Sequence, residues 1–199
     1  MAPGQYWEPE PAASSSPSWV DLELPDLALR LRTDRGIFSP DRVDRGTMLL
    51  LREAEMPPPG ASILDLGCGY GPIALALAAR SPRSEVWAVE VNERARDLCR
   101  ANAAANGLDG VRVAAPDEVP PEVTFDALYS NPPVRIGKEA LRSLLSTWLR
   151  RLGPDGEAWL VQHRHLGADS LAAWLVAEGW SVERARSKAG YRLLRVDRR

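Results

Sequence analysis

The stretch SILDLGCGYG, residues 62–71, decides the fold class of this chain. Its first half, Ser62–Leu66, is apolar enough for a buried strand, and three glycines in five residues follow it directly. Pro72 then stands where the first turn of a helix tolerates proline. A strand, a glycine-rich turn and a helix in this order predict a parallel α/β sheet, which binds ligands at the carboxyl ends of its strands.

Strands and helices alternate downstream of this stretch. Further strands are predicted at Glu85–Val89, Val111–Ala114, Phe125–Ser130 and Gly156–His163. Helical patterns lie between them, the longest with an apolar face from Leu141 to Leu152. Trp180–Ala185 and Tyr191–Val196, joined by a short turn at Lys188-Ala189-Gly190, predict an antiparallel hairpin. We therefore predict a doubly wound, seven-stranded, mostly parallel sheet with an antiparallel C-terminal hairpin and helices on both faces.

The residues before the glycine-rich stretch divide into two parts. Residues 1–17 are rich in Pro, Ser and Ala and are predicted to form a flexible lead-in. Residues 18–57 are predicted to form a small β-hairpin, turning at Pro25-Asp26, and a cap with a polar loop to Thr47 and a short helix at 48–55. Residues 58–199 then form the main domain.

Composition excludes several classes of protein. No apolar run approaches the roughly 18 residues of a membrane helix, and the N-terminus lacks the pattern of a signal peptide. Cys68 and Cys99 form no CxxC motif, so neither a disulfide framework nor a zinc site is supported. His163 and His165 fall on one face of a strand end but lack the usual companion ligands. We expect a soluble, cytoplasmic protein that binds no metal and no membrane.

The charges are balanced, with 25 basic and 27 acidic residues and a net charge of −2. This balance argues against a large nucleic-acid footprint but leaves room for a local patch. Six arginines lie near the expected cleft: Arg30, Arg32, Arg35, Arg42, Arg45 and Arg135. A solvated face and a phosphate-binding rim both remain open interpretations of this set.

The glycine spacing differs from the dinucleotide-binding pattern. Gly67, Gly69 and Gly71 form GxGxG rather than GxGxxG, and Asp65 stands two residues before the first glycine. A carboxylate at that point does not favour binding of a pyrophosphate, whereas it does favour binding of a cation or an amine. A plain strand–helix turn is the alternative, but three glycines would then lose backbone entropy without need.

Two further strand ends carry polar groups. Glu90, after the second strand, is suited to accept hydrogen bonds from a ribose diol. Ser130-Asn-Pro-Pro133 ends the fourth strand, and its prolines fix φ and remove two backbone donors. The carbonyl oxygens of Asn131 and Pro132 and the Asn131 side-chain oxygen are then acceptors on a stiff loop, which favours a site that orients an NH₂ group.

Together these motifs resemble the class I S-adenosylmethionine-dependent methyltransferases. More narrowly, they resemble the small methyltransferase family that includes bacterial small-subunit ribosomal-RNA guanine-N2 methyltransferases. The resemblance runs from about Phe38 to the C-terminus. It rests on Phe38-Ser39, Asp44-Arg-Gly-Thr47, Asp65–Gly71, Glu90-Val-Asn92, Asn102 to Asn106-Gly107 and Ser130–Pro133.

The resemblance implies that S-adenosylmethionine is the cofactor. The residues it assigns to cofactor binding are Thr47, Asp65, Gly67, Cys68, Gly69, Gly71, Glu90, Asn92, Asp117 and Asn131. Of these, Gly67–Gly69 would cradle the methionine part, Asp65 would face its amino group and Thr47 would help to close that end. Glu90 would hold the ribose hydroxyls, and Asp117 would accept a hydrogen bond from the adenine amino group.

The resemblance also implies an acceptor site. Asn131, Pro132 and Pro133 would be the catalytic residues, and the substrate would contact Phe38, Tyr70, Val134 and Arg135. The family usually has an aromatic or large apolar residue where this chain has Val134. A valine stacks poorly on a base, so stacking is expected from Phe38 or Tyr70.

The function implied is methyl transfer to an exocyclic amino group, foremost of a guanine in ribosomal RNA. The expected partner is ribosomal RNA or a ribosomal subunit, and the protein is expected to act as a monomer. Three alternatives remain at this point. They are a methyltransferase of protein glutamine or a small amine, a non-catalytic cofactor-binding interaction module, and a nicotinamide oxidoreductase, which the glycine spacing disfavours.

Overall fold

The computed structural model describes residues 14–198 and contains nine strands and five α-helices within them. The strands are β1 Ser18–Leu24, β2 Leu27–Thr33, β3 Ser62–Leu66, β4 Glu85–Val89, β5 Val111–Ala114, β6 Phe125–Ser130, β7 Leu152–His163, β8 Trp180–Lys188 and β9 Tyr191–Arg198. The helices are α1 Arg45–Glu53, α2 Pro72–Arg80, α3 Glu93–Ala105, α4 Lys138–Leu149 and α5 Ala168–Ala177. Short 3₁₀ turns occur at Pro116–Glu118, Val134–Ile136 and Arg164–Leu166.

Seven strands form the predicted sheet, in the order β5-β4-β3-β6-β7-β9-β8. The pairs from β5 to β7 are parallel, and β9 pairs antiparallel with both β7 and β8. The predicted fold class is therefore confirmed. The chain leaves β3 to form β4 on one side and returns to form β6 on the other, so β3 and β6 flank the point where the winding reverses. Ligands of open α/β sheets bind at this point.

Each face of the sheet is covered by its own apolar core. Ile63 of β3 and Tyr129 of β6 belong to the core that packs under α1, α2, α3 and the β1–β2 hairpin. Leu64 of β3 and Leu128 of β6 belong to the core that packs under α4 and α5. Because side chains alternate along a strand, neighbouring residues serve opposite cores. This double coverage accounts for the continuous apolar run of the central strands.

The N-terminal hairpin is joined to the main sheet domain by Asn102 of α3. The Asn102 Oδ1 accepts from the Arg32 backbone N–H at 2.7 Å, and its Nδ2 donates to the Arg32 carbonyl at 2.8 Å. The same Nδ2 donates to the Tyr70 carbonyl at 2.9 Å. One buried amide therefore connects the hairpin, a helix and the glycine-rich loop.

Most of the predicted lead-in, residues 1–13, lies outside the described residues. At its end, the Ser15 hydroxyl and the Ser16 backbone N–H donate to the Asp34 carboxylate. The last residues of the lead-in are thus held against the segment that follows β2.

The boundaries of the first helix differ from the sequence prediction. The predicted loop to Thr47 and helix at 48–55 are replaced by a helix that begins at Arg45 and ends at Glu53. The Asp44 carboxylate caps it by accepting from the backbone N–H groups of Gly46 at 2.7 Å and Thr47 at 3.2 Å. The prediction followed apolar periodicity, which starts only at Met48, and missed this polar cap.

The prediction was also wrong at Leu152, which was placed on the long helix. The helix α4 ends at Leu149, and Leu152 begins β7 by pairing with Phe125 of β6. At the C-terminus β8 and β9 extend beyond the predicted ends, to Lys188 and Arg198. In the described part of the chain, every helix is too short or too polar to cross a lipid bilayer.

Candidate active site

A cavity of about 210 Å³ opens at the carboxyl ends of the parallel strands. Its walls come from the glycine-rich loop after β3, the end of β4, the Asn-Pro-Pro loop after β6, the end of β7 and the segment that precedes α1. The segments that sequence analysis singled out separately are thus brought together around one space.

The glycine-rich loop needs its glycines for two different reasons. Gly67, Gly69 and Gly71 all have positive φ, at 76°, 56° and 98°. A Cβ at Gly69 would meet no atom of the described residues within 4 Å, because the loop there borders open space. A Cβ at Gly71 would lie 2.1 Å from Leu75 Cδ1 and 2.7 Å from Cys99 Sγ, so Gly71 is required for packing under the loop.

Glu90 lies on the cavity wall directly after β4. Its Oε2 accepts from the Gly69 backbone N–H at 3.0 Å, and its Oε1 accepts from the Asn92 backbone N–H at 2.9 Å. Burial raises the pKa of Glu90, and the hydrogen bonds from backbone amides partly oppose that rise. The carboxylate is therefore fixed against the glycine-rich loop, with lone pairs left for a ligand in the cavity.

Asp65 lies beneath the loop and is fully buried. Its Oδ2 accepts from the Ala74 backbone N–H at 2.8 Å, while its Oδ1 has no hydrogen-bond partner in the described part of the chain. Burial, with the nearby Glu90 charge as a smaller cause, raises the pKa of Asp65 to about 8. Asp65 does not line the cavity, so the structure separates it from the other residues expected to face the cofactor.

Three other residues assigned to the cofactor also lie off the cavity wall. Asn92 is buried, and its Oδ1 accepts from the Ala95 backbone N–H at 3.0 Å, which caps α3. Gly71 begins α2 and serves packing. Asp117 is exposed, and its neighbour Pro116 lines the cavity in its place. Thr47, Gly67, Cys68 and Gly69 do line it.

Asn131 occupies the cavity wall with its side chain fixed by residues of the α1 N-terminus. Its Nδ2 donates to Asp44 Oδ1 at 2.8 Å and to Thr47 Oγ1 at 3.1 Å. The Tyr191 hydroxyl donates to Asp44 Oδ2 at 3.3 Å. An ionised carboxylate only accepts hydrogen bonds, so the amide nitrogen must face Asp44. The Asn131 Oδ1 is then the acceptor that remains for a ligand.

The expected acceptor-binding residues differ in exposure. Phe38 is 37% exposed and Tyr70 is 2% exposed, and both line the cavity. The Tyr70 hydroxyl is buried and finds no hydrogen-bond partner among residues 14–198. Arg135 is exposed and also lines the cavity. The side chain of Val134 lies outside the described residues.

Sequence reasoning missed Gln162 and Tyr191, named Asp44 only within the loop beside Thr47, and considered His163 only as a strand-end histidine. Asp44 and Tyr191 position Asn131, and His163 packs edge-on against Tyr191 with ring centroids 5.0 Å apart. Gln162, from the end of β7, also lines the cavity. Asp44 was quoted only as part of a loop, and its position before Gly46-Thr47 is the one signal of a helix cap. Between residues 14 and 198, no group of three or more potential metal ligands comes together.

The six arginines predicted near the cleft all have exposed side chains. Within the part of the chain that the structure describes, none of the six forms an ion pair. Arg30 instead lies over the ring of Trp19, 5.3 Å from its centroid, and Trp19 is 55% exposed. Exposed guanidinium groups without an ion-pair partner are suited to contact phosphate.

Comparison with known proteins gives consistent matches. A family model described as "Methyltransferase small domain" matches residues 28–195. The uncharacterized protein YbxB of Bacillus subtilis (strain 168) is 32% identical over 194 residues, which cover 96% of each chain. The ribosomal RNA small subunit methyltransferase C of Pseudomonas aeruginosa (strain LESB58) is 37% identical over 163 residues, covering 79% of this chain and 48% of the relative. This chain therefore spans about half the length of that relative.

The solved structures show a similar fold. The Thermus thermophilus 16S rRNA methyltransferase RsmC, in complex with AdoMet and guanosine, matches with a TM-score of 0.77 and 24% sequence identity. The match covers 95% of this chain and 52% of RsmC. At that level of identity the comparison shows a shared fold.

Proposed function

Because the chain belongs to the methyltransferase small domain family, whose methyl donor is S-adenosylmethionine, we propose that its acceptor is the exocyclic N2 amino group of a guanine in ribosomal RNA. The observation that carries this proposal is the fixed orientation of Asn131. Its amide nitrogen is bound by Asp44 and Thr47, so its oxygen is available to accept from an NH₂ group. The relatives named for methylation of small-subunit ribosomal RNA support the choice of acceptor.

The residues on the cavity wall fit S-adenosylmethionine. The open space beside Gly69 leaves room for the methionine part against the loop backbone. The Glu90 carboxylate is suited to accept from ribose hydroxyls. The buried Tyr70 hydroxyl, which no described residue hydrogen-bonds, is a donor available to a cofactor or substrate oxygen.

The chemistry required of the protein is to orient and polarise a poor nucleophile. An exocyclic amino nitrogen is conjugated with its ring, so its lone pair is weakly available. Asn131 Oδ1 and the Pro132 carbonyl would each accept one of its N–H bonds, which raises electron density on nitrogen and aims the lone pair. When bound, S-adenosylmethionine supplies a sulfonium-activated methyl group that the nitrogen takes, releasing the neutral thioether, while a nitrogen proton passes to water.

A ribosomal RNA substrate also accounts for the free arginines. Guanidinium groups bind phosphate in a bidentate way, and the exposed Trp19 beside Arg30 offers a stacking surface. The net charge of −2 means that attraction to RNA must come from this local set of arginines.

The proposal is tested by mass spectrometry of ribosomal RNA nucleosides. A deletion strain is compared with the wild type and with the deletion strain complemented by the wild-type gene or by Asn131→Ala. We expect N2-methylguanosine to fall in the deletion strain, to return with the wild-type gene and to stay low with Asn131→Ala. An unchanged set of nucleosides in the deletion strain would contradict a ribosomal RNA acceptor and favour protein glutamine or a small amine.

A further inference from the structure

Gln162 at the end of β7 holds a buried acceptor atom that is not hydrogen-bonded to any residue between 14 and 198. Its residue is only 3% exposed. Its Nε2 donates to the Leu166 carbonyl at 2.6 Å, and a carbonyl only accepts, so the amide nitrogen is fixed on that side. The Oε1 is sealed from solvent and has no hydrogen-bond partner among the described residues.

An unpaired buried carbonyl oxygen is unfavourable, and native proteins satisfy nearly all such atoms. A ligand in the cavity is one way to satisfy it, because Gln162 is part of the cavity wall. The strand register places it near the catalytic loop. Ser130 of β6 pairs with Leu160 of β7, so Pro132 and Gln162 each follow by two residues at the ends of adjacent parallel strands.

We propose that the Gln162 side-chain oxygen is a binding subsite for a ring N–H next to the amino group of the acceptor. This inference rests on the proposed function, because it adds a third acceptor to the two that Asn131 and Pro132 direct at the amino group. Three carbonyl-type oxygens would then match two adjacent donor groups of a ligand, an amino group and a ring N–H.

The requirement for a ring N–H beside the amino group distinguishes between the candidate acceptors. Guanine carries N1–H directly beside its N2 amino group, so these two adjacent positions both present donors, and the O6 acceptor lies beyond them. Adenine has an unprotonated N1 beside its amino group, and two acceptors facing each other would repel. A glutamine carboxamide and a simple amine have no adjacent ring N–H to offer. The pocket chemistry around Gln162 therefore favours a lactam base such as guanine.

The first experiment compares the wild type with Gln162→Met, which keeps the side-chain length and removes both polar groups. The substrate is a synthetic RNA that carries either guanine or 2-aminopurine at the acceptor position found from the ribosomal RNA comparison. 2-Aminopurine keeps the amino group but lacks N1–H. We expect Gln162→Met to lower kcat/KM about 10- to 100-fold on guanine. On 2-aminopurine, whose unprotonated N1 would face the Gln162 oxygen in the wild type, we expect the variant to raise kcat/KM or leave it unchanged.

An equal loss of kcat/KM on both RNAs would overturn the subsite, because a Gln162 side chain that only packs against the base would affect both bases alike. Equal kcat/KM of the wild type on guanine and 2-aminopurine would overturn it as well.

A second measurement does not depend on methyl transfer. Inosine carries the ring N–H without the amino group, and its binding is measured by calorimetry in the presence of S-adenosylhomocysteine. We expect the wild type to bind inosine about tenfold or more tightly than Gln162→Met does. Equal binding overturns the subsite whatever the ribosomal RNA comparison shows, whereas an unchanged set of nucleosides overturns the proposed function alone.

Discussion

The orientation of Asn131 is set by residues far away in the chain. Asp44 and Thr47 precede it by 87 and 84 positions, and both lie at the start of α1. Two prolines hold the Asn131 backbone, and these two contacts hold its side chain. The acceptor oxygen is therefore preorganised before any substrate binds, which is the condition under which a polar group contributes most to a transition state.

Asn131→Ala removes that oxygen and leaves the glycine-rich loop and Glu90 in place. We expect single-turnover methyl transfer to fall by a factor on the order of 10²–10³, the usual effect of losing one preorganised polar group. Affinity for S-adenosylmethionine, measured by calorimetry, is expected to change little. A wild-type rate of transfer would mean that the loop is only a strand exit.

Asn131→Asp is the companion variant. It keeps an acceptor oxygen but places a second carboxylate at the position where Nδ2 now donates to Asp44. Like charges at hydrogen-bond distance repel, so the side chain is expected to turn away from Asp44 and lose activity at neutral pH. Transfer by this variant at a rate near that of the wild type would contradict the contact with Asp44.

At the scale of single residues, sequence predicted what is local and missed what is distant. Asn131, Glu90 and the glycines stand in short motifs whose chemistry can be read from their neighbours. Asp44, Gln162 and Tyr191 contribute through contacts that only the folded chain creates. Asp65 was predicted to face the cofactor because of its position in the motif, but its strand register directs the side chain under the loop.

At the scale of the elements, the junction between β3 and α2 requires a residue without a side chain at Gly71. We expect Gly71→Ala to lower the free energy of unfolding by more than Gly60→Ala does. Both residues have positive φ, so both variants lose about 1–2 kcal/mol from backbone strain. Only at Gly71 does the added Cβ overlap Leu75 and Cys99, which adds about 1–3 kcal/mol, whereas at Gly60 it meets nothing within 4 Å.

Chemical denaturation of the two variants beside the wild type measures this difference. Equal losses at the two glycines would show that the loop and α3 move apart easily to admit a methyl group.

The same junction should make stability depend on pH. Burial raises the pKa of Asp65 to about 8, well above its value of 3.8 in the unfolded chain. Folding therefore favours the protonated form, and this stabilisation is complete below pH 3.8 and is lost as pH rises toward 8. Asp65→Asn stays neutral throughout, so we expect it to flatten the decline in unfolding free energy between pH 4 and 8. Urea denaturation at pH 5 and pH 8 measures the effect, and parallel declines would contradict it.

The bounds of strands and helices could be predicted from periodicity wherever apolar residues define the element. β3, β4, β5 and β6 have the predicted bounds, because strands of a covered parallel sheet are predominantly apolar. The prediction of element bounds failed where polar or backbone contacts determine the end of an element. The start of α1 depends on the Asp44 cap, and the start of β7 depends on pairing with Phe125 across the sheet.

At the scale of the whole molecule, alternation of strands and helices predicted the sheet and the position of its cleft. It did not predict how the N-terminal hairpin joins the domain, because that junction depends on contacts between residues far apart in the chain, such as those of the buried Asn102 amide with partners 70 and 32 positions away. The junction matters for the proposed function, since β2 leads directly into the segment that carries Phe38 to the cavity. Arg30, Arg32 and Arg35 also belong to this stretch of the chain, which approaches the cleft.

The arrangement of charge predicts how RNA affinity should respond to salt. Arg135 is exposed on the cavity wall and makes no ion pair within residues 14–198, so a bound phosphate would displace only counterions from it. For Arg135→Ala we expect the slope of log K against log salt concentration to decrease by about one.

Arg83→Ala is the matched control, because Arg83 is also exposed but precedes β4, at the amino ends of the parallel strands and so opposite the cleft. Filter binding of a small-subunit ribosomal RNA fragment across a salt series measures both slopes. Equal slopes for the two variants would place the RNA elsewhere, and a salt-independent affinity of the wild type would favour an uncharged acceptor.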